Sequence, residues 1–113
     1  MINIVKVEGR SAPLIFCDWC GGTIAEASHG NCLWLTTNDG RPVTTAMKDC
    51  QGRPVAGPLL FVHKDCDRAW QRANDRGACS ASEDLDVFLF YLGHNLKVDW
   101  KDAEGRARLG DML

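Results

Sequence analysis

Two short spacings constrain this chain more than any other feature: Cys17-Asp-Trp-Cys20 and His63-Lys-Asp-Cys66. A tight turn inside a Cys-x2-Cys unit folds both sulfurs toward one point, and residues three apart in the first turn of a helix share one face. Gly21 and Gly22 follow Cys20, where a chain turning back over its own sulfurs needs positive φ and close backbone approach. Three thiolates and one imidazole are a common tetrahedral set for structural Zn²⁺. A helix N-terminus adds positive potential that favours thiolates. The expected centre is one structural Zn²⁺ held by Cys17, Cys20, His63 and Cys66. The competing reading of Cys17 and Cys20 is a redox pair of thioredoxin type, but no βαβ pattern surrounds them.

Six cysteines in 113 residues would suggest three disulfides in a secreted miniprotein. The N-terminal Met1-Ile-Asn-Ile-Val lacks the basic-then-apolar plan of a secretory signal, and no apolar run approaches the ~20 residues of a bilayer span. The expectation is a cytoplasmic protein with no membrane partner, in a reducing compartment where cysteines serve metal rather than disulfides. Thirteen Lys+Arg against fifteen Asp+Glu give a formal charge of −2. Three thiolates remove three units and a divalent ion returns two, so the loaded protein is more acidic still. That balance argues against a surface that coats nucleic acid, while leaving room for a local basic face.

Along the chain, residues 2–8 are rich in β-branched residues and end at Gly9, which reads as a first strand. Leu14-Ile-Phe leads into the cysteine pair. Ser28-His-Gly-Asn31 reads as a turn, and Cys32-Leu-Trp-Leu-Thr-Thr37 as a strand. Residues 38–58 hold three of the four prolines and three glycines, predicting a long loop with at most a brief strand near Val43–Ala46. Leu59-Leu-Phe-Val62 is a further short strand. From His63 to Arg76, the i, i+3, i+4, i+7 spacing of Cys66, Ala69, Trp70 and Ala73 predicts an amphipathic helix stopped at Gly77. Ser80-Ala-Ser-Glu83 has capping-box spacing and predicts a second helix to about Leu92, with Gly93 as terminator and His94 as a C-terminal cap residue. The segment from Asp99 to Leu109 reads as a third, weaker helix capped by Asp99. Alternation of Leu96, Val98 and Trp100 supports a short strand there equally well.

The two ligand pairs in these settings resemble the treble-clef zinc finger, in which a knuckle is followed by a β-hairpin and then by a helix whose first turn supplies the remaining ligands. The order Cys-x2-Cys…His-x2-Cys is also similar to the first zinc site of LIM domains. The resemblance covers roughly residues 14–76. It departs from the LIM pattern in the 42 residues between Cys20 and His63 and in the missing second ligand set. It therefore implies the site geometry and not the LIM function. The fold expected is α+β: a small treble clef extended by an N-terminal strand and one or two C-terminal helices. One zinc-stabilised domain over residues 1–113 is expected, with its core in 1–79 and a helical extension in 80–113.

The remaining cysteines read as a buried core thiol at Cys32, an exposed loop thiol at Cys50 and a packing residue at Cys79. A second metal site from His29, Cys32 and Cys50 matches no known spacing. Lys64, Arg68, Arg72 and Arg76 recur every four residues along the first helix. They read as a solvated face partly neutralised by Asp65, Asp67 and Asp75, with phosphate contact as the alternative. Trp19, at the tip of the knuckle, is either a partner contact or a shield over the sulfurs. The apolar run Val87–Leu92 exceeds what one helix face needs. The second helix is then buried between finger and tail, or residues 85–92 form a homodimer seam.

No catalytic set is visible, and four protein ligands leave the ion no open position for water or substrate. The chain is expected to be a non-enzymatic zinc-binding module that contacts a protein partner or plays a regulatory part. The alternative is a nucleic-acid-binding finger using the basic helix face. An active site scaffolded elsewhere, as in treble-clef nucleases, lacks a second His/Asp/Asn cluster in these residues.

Overall fold

The computed structural model describes residues 1–37, 39–42, 59–74 and 80–109. It is an α+β fold of two small antiparallel sheets and three helices. Strands β1 (Ile2–Val7) and β2 (Arg10–Ile15) form an N-terminal hairpin in register Ile2↔Ile15 to Val7↔Arg10. The single N-terminal strand expected from residues 2–8 is thus one arm of a hairpin. Its turn, Glu8-Gly9, has φ of 52° and 81°. Two consecutive left-handed residues make the primed turn whose twist matches that of the strands, although Glu-Gly carries a weaker signal than Asn-Gly.

The second sheet has the order β4-β3-β5, built from β3 (Gly30–Leu35), β4 (Leu59–His63) and β5 (Ser80–Asp84). A short 3-10 turn, Ala27–His29, leads into β3. β3 lies in the middle, and both its faces are covered. Asn31, Leu33 and Leu35 share the face toward helix α1 (Lys64–Asn74), where Asn31 Nδ2 donates to Asp67 Oδ2 at 2.8 Å. On the other face, Ile24 and Leu85, the first residue of helix α2 (Leu85–Asn95), close over Gly30. Phe61 of β4, paired with Cys32, meets Phe88 of α2 edge-to-face with centroids 6.4 Å apart. The core is Cys17, Ile24, Cys32, Leu33, Leu35, Phe61, Val62, Trp70 and Leu85. Burial on two faces explains why Cys32-Leu-Trp-Leu reads as a continuous apolar run rather than an alternating one.

Ser80-Ala-Ser-Glu83 does not cap a helix. It is β5, paired with β3 from Asn31↔Asp84 to Leu35↔Ser80, and α2 begins only at Leu85. A central strand with one bare edge has backbone donors and acceptors that must be paired, and β5 pairs them. That demand outweighs the local capping pattern. Gly93 does not end α2 either. It is buried within the helix because Trp100 crosses it: a Cβ there would stand 2.6 Å from Trp100 Cζ2. The helix ends instead in a Schellman motif with Lys97 in the left-handed region at φ 56°. Val98 N donates to Gly93 O (2.9 Å) and Lys97 N to His94 O (3.1 Å), the 6→1 and 5→2 bonds of that motif. His94 accordingly lies in the last turn rather than beyond it. The strand alternative at residues 96–100 gives way to helix α3 (Trp100–Leu109), with Asp99 Oδ1 accepting from Asp102 N at 3.0 Å as the expected N-cap. α1 starts one residue later than expected, because His63 closes β4. Val43–Ala46, Cys50, Arg76, Gly77 and Cys79 lie outside the described residues.

Cys32 is the core thiol its strand predicts, with no exposed surface. Burial pushes its pKa up to about 11, against 9.0 for a free thiol. A raised folded-state pKa gives stability that is complete below pH 9 and lost as pH rises from 9 through 11. Cys32 should resist iodoacetamide at pH 8 in the native protein and react once the chain is denatured. Peptide mass mapping with and without urea checks this, and rapid native labelling would contradict the packing.

Candidate metal centre

The knuckle is built before the ligands converge. An isolated bridge between Phe16 and Thr23 brings the flanks of the cysteine loop together. Cys17 N donates to Gly22 O (2.8 Å) and Gly21 N to Cys17 O (2.9 Å). Gly21 has φ of 78°, the left-handed backbone expected after the second cysteine. Gly22 serves by lacking a side chain, since a Cβ there would lie 3.4 Å from Cys20 Sγ and 3.6 Å from His63 Cε1.

The other two ligands arrive at the junction of β4 and α1. His63 is the last strand residue and Cys66 sits in the first helical turn, so a strand end and a helix start share the task. The ligand atoms of Cys17, Cys20, His63 and Cys66 all lie within 4.8 Å of one another. His63 Nδ1 is 3.3 Å from Cys20 Sγ and 3.9 Å from Cys66 Sγ. Its Nε2 lies 3.0 Å from the carbonyl oxygen of Thr23. Because the carbonyl only accepts, Nε2 carries the hydrogen, and in the neutral ring the lone pair is then on Nδ1, facing the sulfurs. That is the outer hydrogen bond a metal-bound histidine needs. A tetrahedral ion with metal–sulfur bonds of about 2.3 Å sets its sulfurs roughly 3.8 Å apart. The cluster can hold one metal ion with little rearrangement. Among the described residues it is the one group of three or more His, Cys, Asp or Glu so arranged.

The backbone is already arranged for thiolate. Burial raises the Cys17 pKa, but N–H groups of Cys20 (3.5 Å), His63 (3.4 Å) and Trp19 (3.4 Å) point at its sulfur. These donors win, lowering it to about 6. Gly22 N donates to Cys20 Sγ at 3.4 Å. Cys66 is pushed up to about 12 by burial and then by the neighbouring Cys17 and Cys20 sulfurs. The Thr23 carbonyl raises the pKa of His63, with Cys17 adding to the effect. A divalent ion among the three sulfurs would favour their thiolate forms.

Asp18 and Thr23 are parts of this centre that spacing did not reveal. Asp18 N donates to Phe61 O (2.7 Å), and Asp18 Oδ2 accepts from Phe61 N (2.9 Å). This clasp fastens the knuckle to the outer edge of β4. The one sequence signal was an acidic residue set between two thiolate ligands, which electrostatics alone disfavours.

Of the contact residues read from sequence, Lys64, Arg68 and Arg72 follow one another along α1. Lys64 pairs with Asp84 at 3.4 Å, Arg68 and Arg72 are exposed along α1, and Arg76 lies outside the described residues. Trp19 is 45% exposed at the knuckle tip. His29 is exposed beside Glu26, at 3.6 Å, while Cys32 is buried in β3. No helix among the described residues is long and apolar enough to cross a membrane. Compared with known protein families, curated proteins and solved structures, the chain matches none.

Proposed function

We propose that this chain is a small zinc-stabilised binding module of treble-clef type. One Zn²⁺ held by Cys17, Cys20, His63 and Cys66 would tie the knuckle to the β4–α1 junction. The observation that carries the reading is the convergence of the four ligand atoms within 4.8 Å. Two arms of the sequence separated by more than forty residues meet there, with the His63 ring held by Thr23 so that Nδ1 faces inward. A thiolate-rich tetrahedral donor set suits Zn²⁺ among common divalent ions. Four protein ligands complete the shell, so the ion is structural and the module acts by binding rather than by chemistry on a substrate.

The partner is proposed to be protein. The acidic charge balance supports this, as do the exposed knuckle Trp19 and the apolar surface that α2 leaves uncovered. A phosphate-contacting role for α1 has less behind it. Lys64 is paired with Asp84, and Asp67 lies among the basic residues, bound to Asn31 and Gln71.

Metal analysis of the purified chain tests the assignment. One zinc per chain is expected, falling below about a tenth of an equivalent in Cys66→Ser, where a thiolate ligand is lost. Iron in place of zinc would correct the ion and keep the centre. A metal-free chain purified under reducing conditions would end the proposal.

A further inference from the structure

β4 is an edge strand, because the order β4-β3-β5 gives it β3 on one side only. Successive residues in an antiparallel ladder direct their backbone groups alternately to one neighbour and to the other. In β4 the outward set is Leu59, Phe61 and His63, and the knuckle meets two of the three. Phe61 O accepts from Asp18 N (2.7 Å) and Phe61 N donates to Asp18 Oδ2 (2.9 Å). His63 N donates to Cys17 Sγ at 3.4 Å. One residue thus fills both outward groups of Phe61, its carboxylate standing where a neighbouring strand would offer a carbonyl. Leu59-Leu-Phe-Val62 is apolar and uncharged, the kind of edge that folds keep covered.

The acid at position 18 needs such a reason. It stands in sequence between two thiolate ligands, where charge alone favours a neutral residue. The same Oδ2 lies 3.0 Å from the Met1 amino nitrogen, but that pair is exposed and contributes little. The bond from Phe61 N is the one that ties separate parts of the fold together.

We infer that Asp18 is a positioning residue of the metal centre: its carboxylate seats the knuckle on β4 as a surrogate outer strand and so fixes Cys17 and Cys20 against His63. The inference rests on the metal centre proposed above. His63 belongs to both arrangements, since its ring faces the sulfurs while its backbone N–H holds Cys17. A knuckle displaced from β4 carries two ligands away from the third. Coupling of this kind is reciprocal, so bound metal tightens the clasp as much as the clasp tightens metal binding. The β4 edge is therefore closed most firmly in the loaded chain.

Two measurements on the full chain test this: zinc affinity by competition with a chromophoric chelator, and amide hydrogen exchange of the zinc-loaded protein by NMR. Asp18→Ala keeps the backbone donor and removes the acceptor. Its zinc affinity should fall about 10- to 100-fold, the range for an outer hydrogen-bond partner of a metal site. Its Phe61 amide should exchange about tenfold faster, having lost a charge-assisted hydrogen bond. Leu60 and Val62, paired with Leu33 and Asn31 and directed toward β3, should keep their protection. Asp18→Asn retains an oxygen at that place and drops the charge. It should restore Phe61 protection and bring affinity to within about threefold of wild type. Cobalt(II) bound to Asp18→Ala should keep the visible spectrum of a tetrahedral three-thiolate site, showing that no ligand is lost.

Asp18→Ala with wild-type affinity, or with unchanged Phe61 exchange, overturns the inference. So does Asp18→Asn weakened as much as Asp18→Ala, which would assign the effect to charge. The Asp18→Asn result decides even where Asp18→Ala fails to fold. A wild type that binds no zinc ends the metal centre and this inference with it. One zinc in the wild type and an unaffected Asp18→Ala end this inference alone.

Discussion

Stripping the metal with a chelator is expected to replace the cooperative thermal unfolding of this chain with a broad, gradual decline. Structural zinc in small fingers contributes on the order of 10 kcal/mol, comparable to the whole stability of an ordinary domain. Here the ion is expected to join the knuckle at 17–22 to the β4–α1 junction, and Cys17 is itself a core residue at 3% exposure. Losing the ion leaves three sulfurs crowded together in the pocket. The thiol of Cys66, pushed up to about 12, must then stay protonated at neutral pH. Metal uptake at pH 7 should accordingly release protons and tighten as pH rises, because each thiol that binds must first ionise. Scanning calorimetry with and without chelator measures the first effect. Titration calorimetry in buffers of different ionisation enthalpy measures the second. An unchanged melting transition in demonstrably metal-free protein would show that the fold stands without the ion.

Leu33→Ala should cost about 3–5 kcal/mol, the range for a large apolar side chain removed from a core that cannot collapse around the gap. Leu33 lies at the centre of β3, 1% exposed, in the strand that both other strands of its sheet pair with. For a chain of this length that loss lowers the melting temperature by roughly 15–30 °C. The matched control is Leu96→Ala. Leu96 is 68% exposed, so its truncation should cost less than about 0.5 kcal/mol. Both are measured at one fixed free-metal concentration, since bound metal itself shifts the transition. Equal losses at the two sites would mean that β3 is not the centre of the core.

The structure changes the meaning of the apolar run at 87–92. The run divides along the helix circumference. Phe88 and Leu89 help cover the sheet, while Phe90 and Tyr91 face out. Alternate sides of one short helix carry both sets, so a linear run of apolar letters signals excess without saying which face holds it.

The sequence by itself determined the four residues that converge as the candidate metal cluster, the strands around Cys32 and Leu59–Val62, and the amphipathic α1. These are features of short range, set by side-chain spacing, branching and local hydrogen bonding within a few residues. Tertiary structure decided what those local rules could not reach. Ser80–Asp84 has the letters of a helix start, yet pairs as β5 with a strand some fifty residues earlier, because an open sheet edge needs its backbone partners. Gly93 has the letter of a terminator, yet remains inside α2, because Trp100 needs the space its missing side chain leaves. Asp18 and Thr23 have no motif of their own and gain their roles only once β4 and His63 fold against the knuckle. In each case a contact between distant segments satisfies a backbone group or fills a volume, and that gain exceeds the few tenths to one kcal/mol at stake in a local preference.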